Sequence, residues 1–348
     1  MTATTIGIDG SSYVASPTGA MRRTRELATH LAALGWRPIL FLPRHSCEFF
    51  ANTPDVEIVP LDIRSRPGPW RARLAAKLLP DLLARNDCRL LLTETPPFAA
   101  NLPTVFTVHD LAAWDVPGLC SLKRKWWRRL TVPTALRKAA AVLTVSDFSA
   151  QRLKHHFPDI RVTVASNGAN HLPLLDRKTP ADRFVLLVGP DDNFRNWPLV
   201  IAAIEDLRST DEFHDLKLVL VGRSDIGQLP PWANNQTVDD HDLAVLYSTA
   251  TALVCESKYE GFDLPLAEAL HAACPVVASD LDVHRQIAGQ AAVYFTSGNQ
   301  DELGEAIRTL TMNPSAAGQL NHQVDSLSWE SSAKIVDQVL LTTLRQAT

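Results

Sequence analysis

Two glutamates, Glu260 and Glu268, stand eight positions apart in "YEGFDLPLAEAL", residues 259–270. Ionised carboxylates accept hydrogen bonds, and sugar or ribose hydroxyls are natural donors to them. The surrounding "LYSTATALVCESKYEGFDLPLAEALHAACPVVASD" reads strand, loop, helix, strand. Pro265 suits a first helical turn, and Asp263 before it is expected to cap that helix. The loop then brings the backbone N–H groups of Gly261, Phe262, Asp263 and Leu264 and a helix N-terminus to one point, a seat for a diphosphate. Glu268 is expected in the first turn beside the seat, with Glu260 in the loop. The bland alternative is a capped helix carrying two solvated acids.

Three further stretches end strands in chemistry-bearing residues. "FVLLVGPDDNFRNWPLV" runs from a strand through a glycine turn at Gly189 to Arg195 and Asn196 at the start of a helix. Arg195 is either a cation where α/β proteins place ligands or a surface residue near a helix start. "TVFTVHDLAAWDVPG" closes a buried strand with His109 and Asp110, where α/β proteins place ligands; otherwise the histidine is hydrogen-bonded scaffold. "GIDGSSYVASPTGAMRRTRELATHLAAL" is a strand, a loop and a helix that carry Gly19 and Arg22, and it can also be read as a plain connection.

Taken together, these motifs resemble the GT4-type retaining glycosyltransferases of the GT-B fold. The resemblance is strong after residue 183 and looser before it. It implies a sugar nucleotide held mainly by the C-terminal domain and an acceptor held by the N-terminal domain. It also implies transfer with retention at the anomeric carbon and no required metal ion or other cofactor. By the same resemblance Glu260 lies near the transferred sugar, Glu268 holds the ribose, and His109, beside Asp110, approaches the donor sugar. The chain departs from the family pattern at five places. Arg195 stands for a lysine, which keeps the charge but adds bulk and bidentate reach. Phe194 and Pro190 occupy places where a second cation is common, so by the resemblance the stabilisation of a departing diphosphate is either weaker here or comes from elsewhere, such as Arg22 or Arg223. Met21 replaces a glycine, which would be costly if the backbone there were left-handed. Asp263 also replaces a glycine, and is either a helix cap or a negative charge beside the diphosphate.

A basic, aromatic stretch, "SLKRKWWRRLTVPTALRK", contains Lys123, Arg124, Lys125, Trp126, Trp127, Arg128 and Arg129 and no acid. Tryptophans among cations on an amphipathic helix fit an anionic membrane surface or a lipid-linked acceptor. A second such stretch has Arg64, Arg66, Trp70, Arg71, Arg73 and Lys77. Basic-aromatic patches also bind nucleic acid, but no nucleic-acid module accompanies these. The alternative is a solvated basic face with its tryptophans in the core.

These residues need a frame to position them. Short β-branched runs alternate with helical periodicity, from "TTIGID" to "VTVAS" in the first half and again from "RFVLLVG" to "AAVYF". Near-continuous apolar strands between amphipathic helices indicate buried parallel sheets. The polar stretch 170–183 reads as a linker. The expected organisation is therefore two Rossmann-like domains facing across a cleft, residues 1–172 and 173–325. Residues 326–348 form a helix expected to return to the first domain. Of 348 residues, 46% are hydrophobic and 21% charged, which is globular composition. Residues 1–170 carry 22 basic and 13 acidic side chains, and the remainder 12 and 25, so a basic half precedes an acidic one. Five unpaired-looking cysteines fit a reducing, cytoplasmic setting. No apolar run approaches the roughly 20 residues of a membrane span. The D-x-D at 280–282 ends a strand of the wrong fold type for a metal site, and no G-x-G-x-x-G follows the first strand, which argues against a dinucleotide-dependent dehydrogenase.

The reading is a retaining glycosyltransferase of polysaccharide biosynthesis, peripheral at the cytoplasmic membrane face. Its donor is a sugar nucleotide, GDP-mannose first and UDP-sugars open, and its acceptor a glycan or polyprenyl-diphosphate-linked glycan. The rivals are an epimerase-like GT-B enzyme, which turns over UDP-sugars without acceptor, and a catalytically silent scaffold subunit.

Overall fold

The computed structural model describes residues 3–63, 69–96, 101–178, 182–190, 194–222, 227–314 and 327–347, with residues 69–71 described only in their backbone. Arg64, Arg66, Arg223 and the side chains of Trp70 and Arg71 lie outside that description. The chain divides into two compact units, Met1–Gly168 with Trp329–Thr348, and Ala169–Ser328.

Unit 1 is built on β1 (Thr4–Asp9), β2 (Trp36–Pro43), β3 (Glu57–Leu61), β4 (Leu90–Thr93), β5 (Thr104–Val108), β6 (Ala141–Thr144) and β7 (Thr163–Val164). Its helices are α1 (Gly19–Ala33), α2 (Cys47–Phe50), α3 (Pro69–Arg85), α4 (Ala112–Asp115), α5 (Leu122–Lys138) and α6 (Asp147–His156). All strand pairs are parallel, in the order β3-β2-β1-β4-β5-β6-β7. Both faces of the sheet are buried, which is why its strands read as unbroken apolar runs. In β2, Leu40 and Leu42 join the core beneath α1, while Ile39 and Phe41 join the core with Leu79 and Leu83 of α3.

Unit 2 holds β8 (Phe184–Val188), α7 (Trp197–Arg208), β9 (Lys217–Val221), β10 (Ala233–Gln236), α8 (Asp240–Thr249), β11 (Ala252–Cys255), α9 (Leu264–His271), β12 (Val276–Ser279), α10 (Asp282–Ala288), β13 (Ala292–Phe295) and α11 (Gln300–Met312). Its parallel order is β10-β9-β8-β11-β12-β13. Val185, Leu187, Leu218, Leu220 and Val254 pack with Trp197, Val200 and Ile204 of α7 and Ile307 and Leu310 of α11.

The last helix, α12 (Trp329–Ala347), carries Trp329, Ala333, Val336 and Leu340 along one helical stripe, all buried. Ala333, Val336 and Leu340 belong to the same core as Leu27 and Leu31 of α1. The Trp36 indole N–H donates to Asp337 Oδ1 at 2.7 Å, pinning the helix to β2.

In each sheet the strand order reverses once, between β1 and β4 in unit 1 and between β8 and β11 in unit 2. Loops leaving the carboxyl ends of two such strands diverge to opposite faces and open a crevice, the usual ligand position in open α/β sheets. In both units that point is where the chemistry-bearing residues collect.

Candidate active site

In unit 2 the switch point is framed by the turn after β8 and the segment after β11. Gly189 has φ +121°, a conformation open to glycine, and its N–H donates to Val221 O at 2.9 Å. The Arg195 guanidinium lies over it: a β-carbon on Gly189 would meet Arg195 Cζ and Nε at 3.0 Å. Backbone pairing fixes residue 195. Arg195 and Ser257 form an isolated antiparallel bridge, and Lys258 N–H donates to Phe194 O at 2.8 Å. That pairing brings Arg195 Nη2 to 2.8 Å from Glu260 Oε1 and 3.7 Å from Asp263 Oδ1.

Glu256, not singled out in the sequence, anchors the same junction. Its buried carboxylate accepts from Asn196 N–H (3.0 Å), Ser297 Oγ (3.2 Å) and Gly298 N–H (3.3 Å). Burial pushes its pKa up, opposed by those donors. Asn196 thus opens α7 through its backbone and makes no side-chain cap.

Asp263 corrects one expectation. It sits at the N-cap position of α9 but makes no capping bond, and its φ of +71° is left-handed. Aspartate is among the few non-glycine residues that tolerate this region, so it can stand where a glycine is usual. Its carboxylate turns to the fully buried His284, with Oδ2 3.0 Å from Nε2, while His284 Nδ1 lies 2.8 Å from Ser279 O. Burial opposes the charge on both, but each favours the other's ionised form: Asp263 is held below the usual carboxylate range and His284 above the usual imidazole value. Asp263 is therefore the carboxylate that favours the charged form of a buried imidazole.

Glu260 lies at the end of this row, and Ser257 Oγ donates to its Oε1 at 3.0 Å. Burial pushes its pKa up to about 7; Arg195 opposes the shift and Asp263 adds to it.

Glu268 lies in the second turn of α9, not the first. Its carboxylate is buried, accepts from the Tyr247 hydroxyl at 2.8 Å, and lies 3.1 Å from His171 Nε2. Burial and that carboxylate push the Tyr247 phenol well above its ordinary value, so it remains a donor. Phe262 is buried, while Leu264 at the helix start is half-buried. The opening turn of α9 offers N–H groups without intrahelical acceptors, as any helix start does. Arg195, Glu260 and this turn converge within one unit; the bland reading of two solvated acids is excluded, since both carboxylates have fixed partners.

In unit 1, Thr144 Oγ1 donates to Val108 O at 2.7 Å and Ser149 Oγ to His109 O at 3.1 Å, fixing the end of β5. His109 Nε2 lies 3.0 Å from Glu94 Oε2, from the end of β4. Asp110 Oδ1 accepts from Ala112 N–H at 3.0 Å. Burial opposes its charge, but Arg128 and Arg124 hold its pKa below the ordinary value. Gly19 begins α1, where a β-carbon would meet nothing within 4 Å. Met21 is a buried residue inside α1, so no left-handed backbone arises there. Arg22 lies 3.7 Å from Glu26 and over the Phe49 ring at 5.5 Å.

The structure splits the basic stretch of α5. Arg128 Nη2 donates to Asp110 O and Arg129 Nε to Ala113 O, each at 2.9 Å. Leu122 (69%), Trp126 (62%) and Leu130 (69%) remain exposed at a four-residue spacing, one outward stripe. Lys123, Arg124 and Arg129 are exposed around it, and Lys125 and Trp127 half-buried.

Glu94, Glu256 and His284 escaped the sequence reading. "LLLTET" and "ALVCES" did carry a signal, an acid just past a strand end. For His284, inside α10, there was none.

Two parallel sheets, each with its polar cluster at a switch point, define the GT-B glycosyltransferase architecture. A Glycosyltransferase Family 4 model matches residues 17–171 and a Glycosyl transferases group 1 model matches residues 182–313, and the chain belongs to this glycosyltransferase family. Its fold is that of sucrose-phosphate synthase from Thermosynechococcus elongatus, with a TM-score of 0.81, 19% identity, and coverage of 99% of this chain and 100% of that one. The O-antigen chain mannosyltransferase RfbU of Salmonella typhimurium is 24% identical over 78% of this chain and 79% of its own length. The serotype-specific mannosyltransferase WbdA of Escherichia coli is 25% identical over 76% of this chain, a match spanning 36% of WbdA. Among the described residues, no helix is long and apolar enough to cross a membrane.

Proposed function

We propose that this chain is a retaining transferase that moves mannose from GDP-mannose to a glycan or polyprenyl-diphosphate-linked glycan. The observation that carries the reading is the placement of Arg195 between Gly189 and Glu260 at the unit 2 switch point, beside the start of α9. The mannosyltransferase names of RfbU and WbdA support the choice of sugar. The acceptor hydroxyl attacks the anomeric carbon on the face the nucleotide leaves, and its proton passes to an oxygen of the departing diphosphate. The bond from that carbon to the phosphate oxygen breaks, and its electron pair stays with the diphosphate. Arg195 and the backbone N–H groups of Gly261, Phe262, Asp263 and Leu264 stabilise that charge, so the reading assigns the cationic role to protein and requires no metal. Glu260 engages the sugar hydroxyls, Glu268 holds the ribose, and His109 meets a hydroxyl of the reacting sugars.

A thermal-shift screen with GDP-, UDP- and ADP-sugars tests the donor, because a ligand of the native state raises Tm. GDP-mannose should give the largest shift, and Glu268→Ala should weaken its binding about tenfold or more by calorimetry. Turnover of UDP-sugars without acceptor would favour an epimerase, and no binding or turnover of any donor would leave only a scaffold.

The exposed Leu122–Trp126–Leu130 stripe, ringed by cations, is assigned to an anionic lipid surface on the cytoplasmic face. Co-sedimentation with phosphatidylglycerol vesicles should exceed that with phosphatidylcholine and fall several-fold in Trp126→Ala. Equal partition to both lipids would remove this assignment.

A further inference from the structure

We propose that Glu94 is the positioning residue of His109, holding the imidazole with its proton on Nε2 so that Nδ1 presents a lone pair to a sugar hydroxyl. The inference rests on the reading of His109 given above, and assigns that histidine its polarity.

Glu94 follows β4 directly and His109 follows β5, neighbouring parallel strands in which Leu92 pairs with Val105 and Thr93 with Phe106. β4 also borders the reversal in strand order. Topology therefore brings the two side chains together at the crevice, although their positions in sequence carry no such hint. His109 Nε2 is fully buried, whereas the side chain as a whole is 27% exposed. Water cannot serve Nε2, and Glu94 Oε2 at 3.0 Å is the acceptor beside it. The distance of a hydrogen bond is met but its alignment is not, a common condition of catalytic contacts before substrate arrives. No hydrogen bond to Nδ1 occurs among the described residues.

The carboxylate is itself held from behind. The Tyr13 hydroxyl lies 3.5 Å from Glu94 Oε2 and 2.5 Å from Thr24 Oγ1. Arg23 Nε lies 4.0 Å from Glu94 Oε1. Arg23 is fully buried, and its Nη1 donates to Ala165 O at 2.9 Å and Asn167 Oδ1 at 2.7 Å. Burial lowers its pKa to about 10, leaving it cationic at neutral pH. A row thus runs from Asn167 through Arg23 and Glu94 to His109, joining α1, β4, β5 and the segment after β7. The simpler account is that Glu94 only neutralises Arg23. That account explains the 4.0 Å contact but not why the other carboxylate oxygen sits at the histidine.

A carboxylate at one ring nitrogen selects the tautomer protonated there, and the opposite nitrogen then accepts hydrogen bonds. The test is nitrogen-15 NMR of histidine-labelled protein at a pH where the imidazole is neutral, alongside steady-state kinetics. In the wild type, His109 should show a protonated Nε2 and a bare Nδ1. In Glu94→Ala the Nδ1–H tautomer should grow and kcat fall about 100-fold, with nucleotide Kd unchanged. Glu94→Gln, which keeps an acceptor oxygen at the same reach, should recover part of both. A wild-type spectrum with the proton on Nδ1 overturns the proposal whether or not Glu94→Ala folds, and so does an unchanged tautomer ratio in a folded variant. If His109→Ala transfers sugar normally, the role given to His109 fails instead, while the spectra still decide what Glu94 does.

Discussion

Arg195→Met is expected to lower kcat by about 10²–10³-fold, the usual loss when a group that stabilises developing charge is removed. Methionine keeps the unbranched bulk over Gly189 and deletes only the cation and its donors. The ground-state nucleotide is bound through other contacts as well, so KM should move much less than kcat. Arg195→Lys should fall between the two, since it restores the charge without the planar guanidinium whose Nη2 faces both Glu260 and Asp263. Loss of the partner also leaves Glu260 buried with Asp263 nearby, and it will respond by taking up a proton. Single-turnover rates with saturating donor, compared with calorimetric nucleotide affinity, separate these effects. A kcat within threefold of wild type would remove Arg195 from the leaving-group site.

Glu260→Gln is expected to reduce transfer by at least about 100-fold and to change how stability depends on pH. Burial raises the Glu260 pKa from 4.5 to about 7. Between those values the native state holds a proton that the unfolded state has released. Stability contributed by this group is therefore greatest below the unfolded pKa and falls as pH rises towards 7, by about 3 kcal/mol in all. The glutamine variant lacks that proton linkage. Denaturant unfolding of both proteins at pH 5 and pH 8 should show the variant gaining on wild type at the higher pH. A difference independent of pH would mean that Glu260 is ionised in the folded protein throughout.

The inversion of burial and charge at Asp263 bears on both results. A carboxylate beside a diphosphate seat would repel it were it free. The Asp263 carboxylate instead faces the fully buried His284, with Oδ2 3.0 Å from Nε2. The same pairing explains how an aspartate persists at a left-handed position that forgoes capping.

Most strands could be read from composition because both faces of each sheet are buried, so their residues are apolar wherever they fall. β10 could not. "ANNQ" is polar, lies at the sheet edge, and is a strand only because Ala233–Gln236 pair in register with Leu218–Val221. The amphipathic helix expected over "SLKRKWWRRLTVPTALRK" is α5, which begins at Leu122 and runs through Pro133. Glu260, Glu268, Arg195 and His109 were legible as candidates because their residue types follow strand ends or open helices. Their partners were not. Glu260 and Arg195 are brought together by the antiparallel bridge of Arg195 with Ser257, Asp263 and His284 by the packing of α9 beside α10, and Glu94 and His109 by adjacent strands.

What the sequence determined alone was the α/β rhythm, the residues able to do chemistry, and the basic character of α5. Which of those residues share a proton, a charge or a solvent-free contact was decided only by the tertiary structure. The reason is physical: hydrogen bonds and ion pairs act over about 3–4 Å, and strand order, not distance along the chain, determines which strand ends come that close.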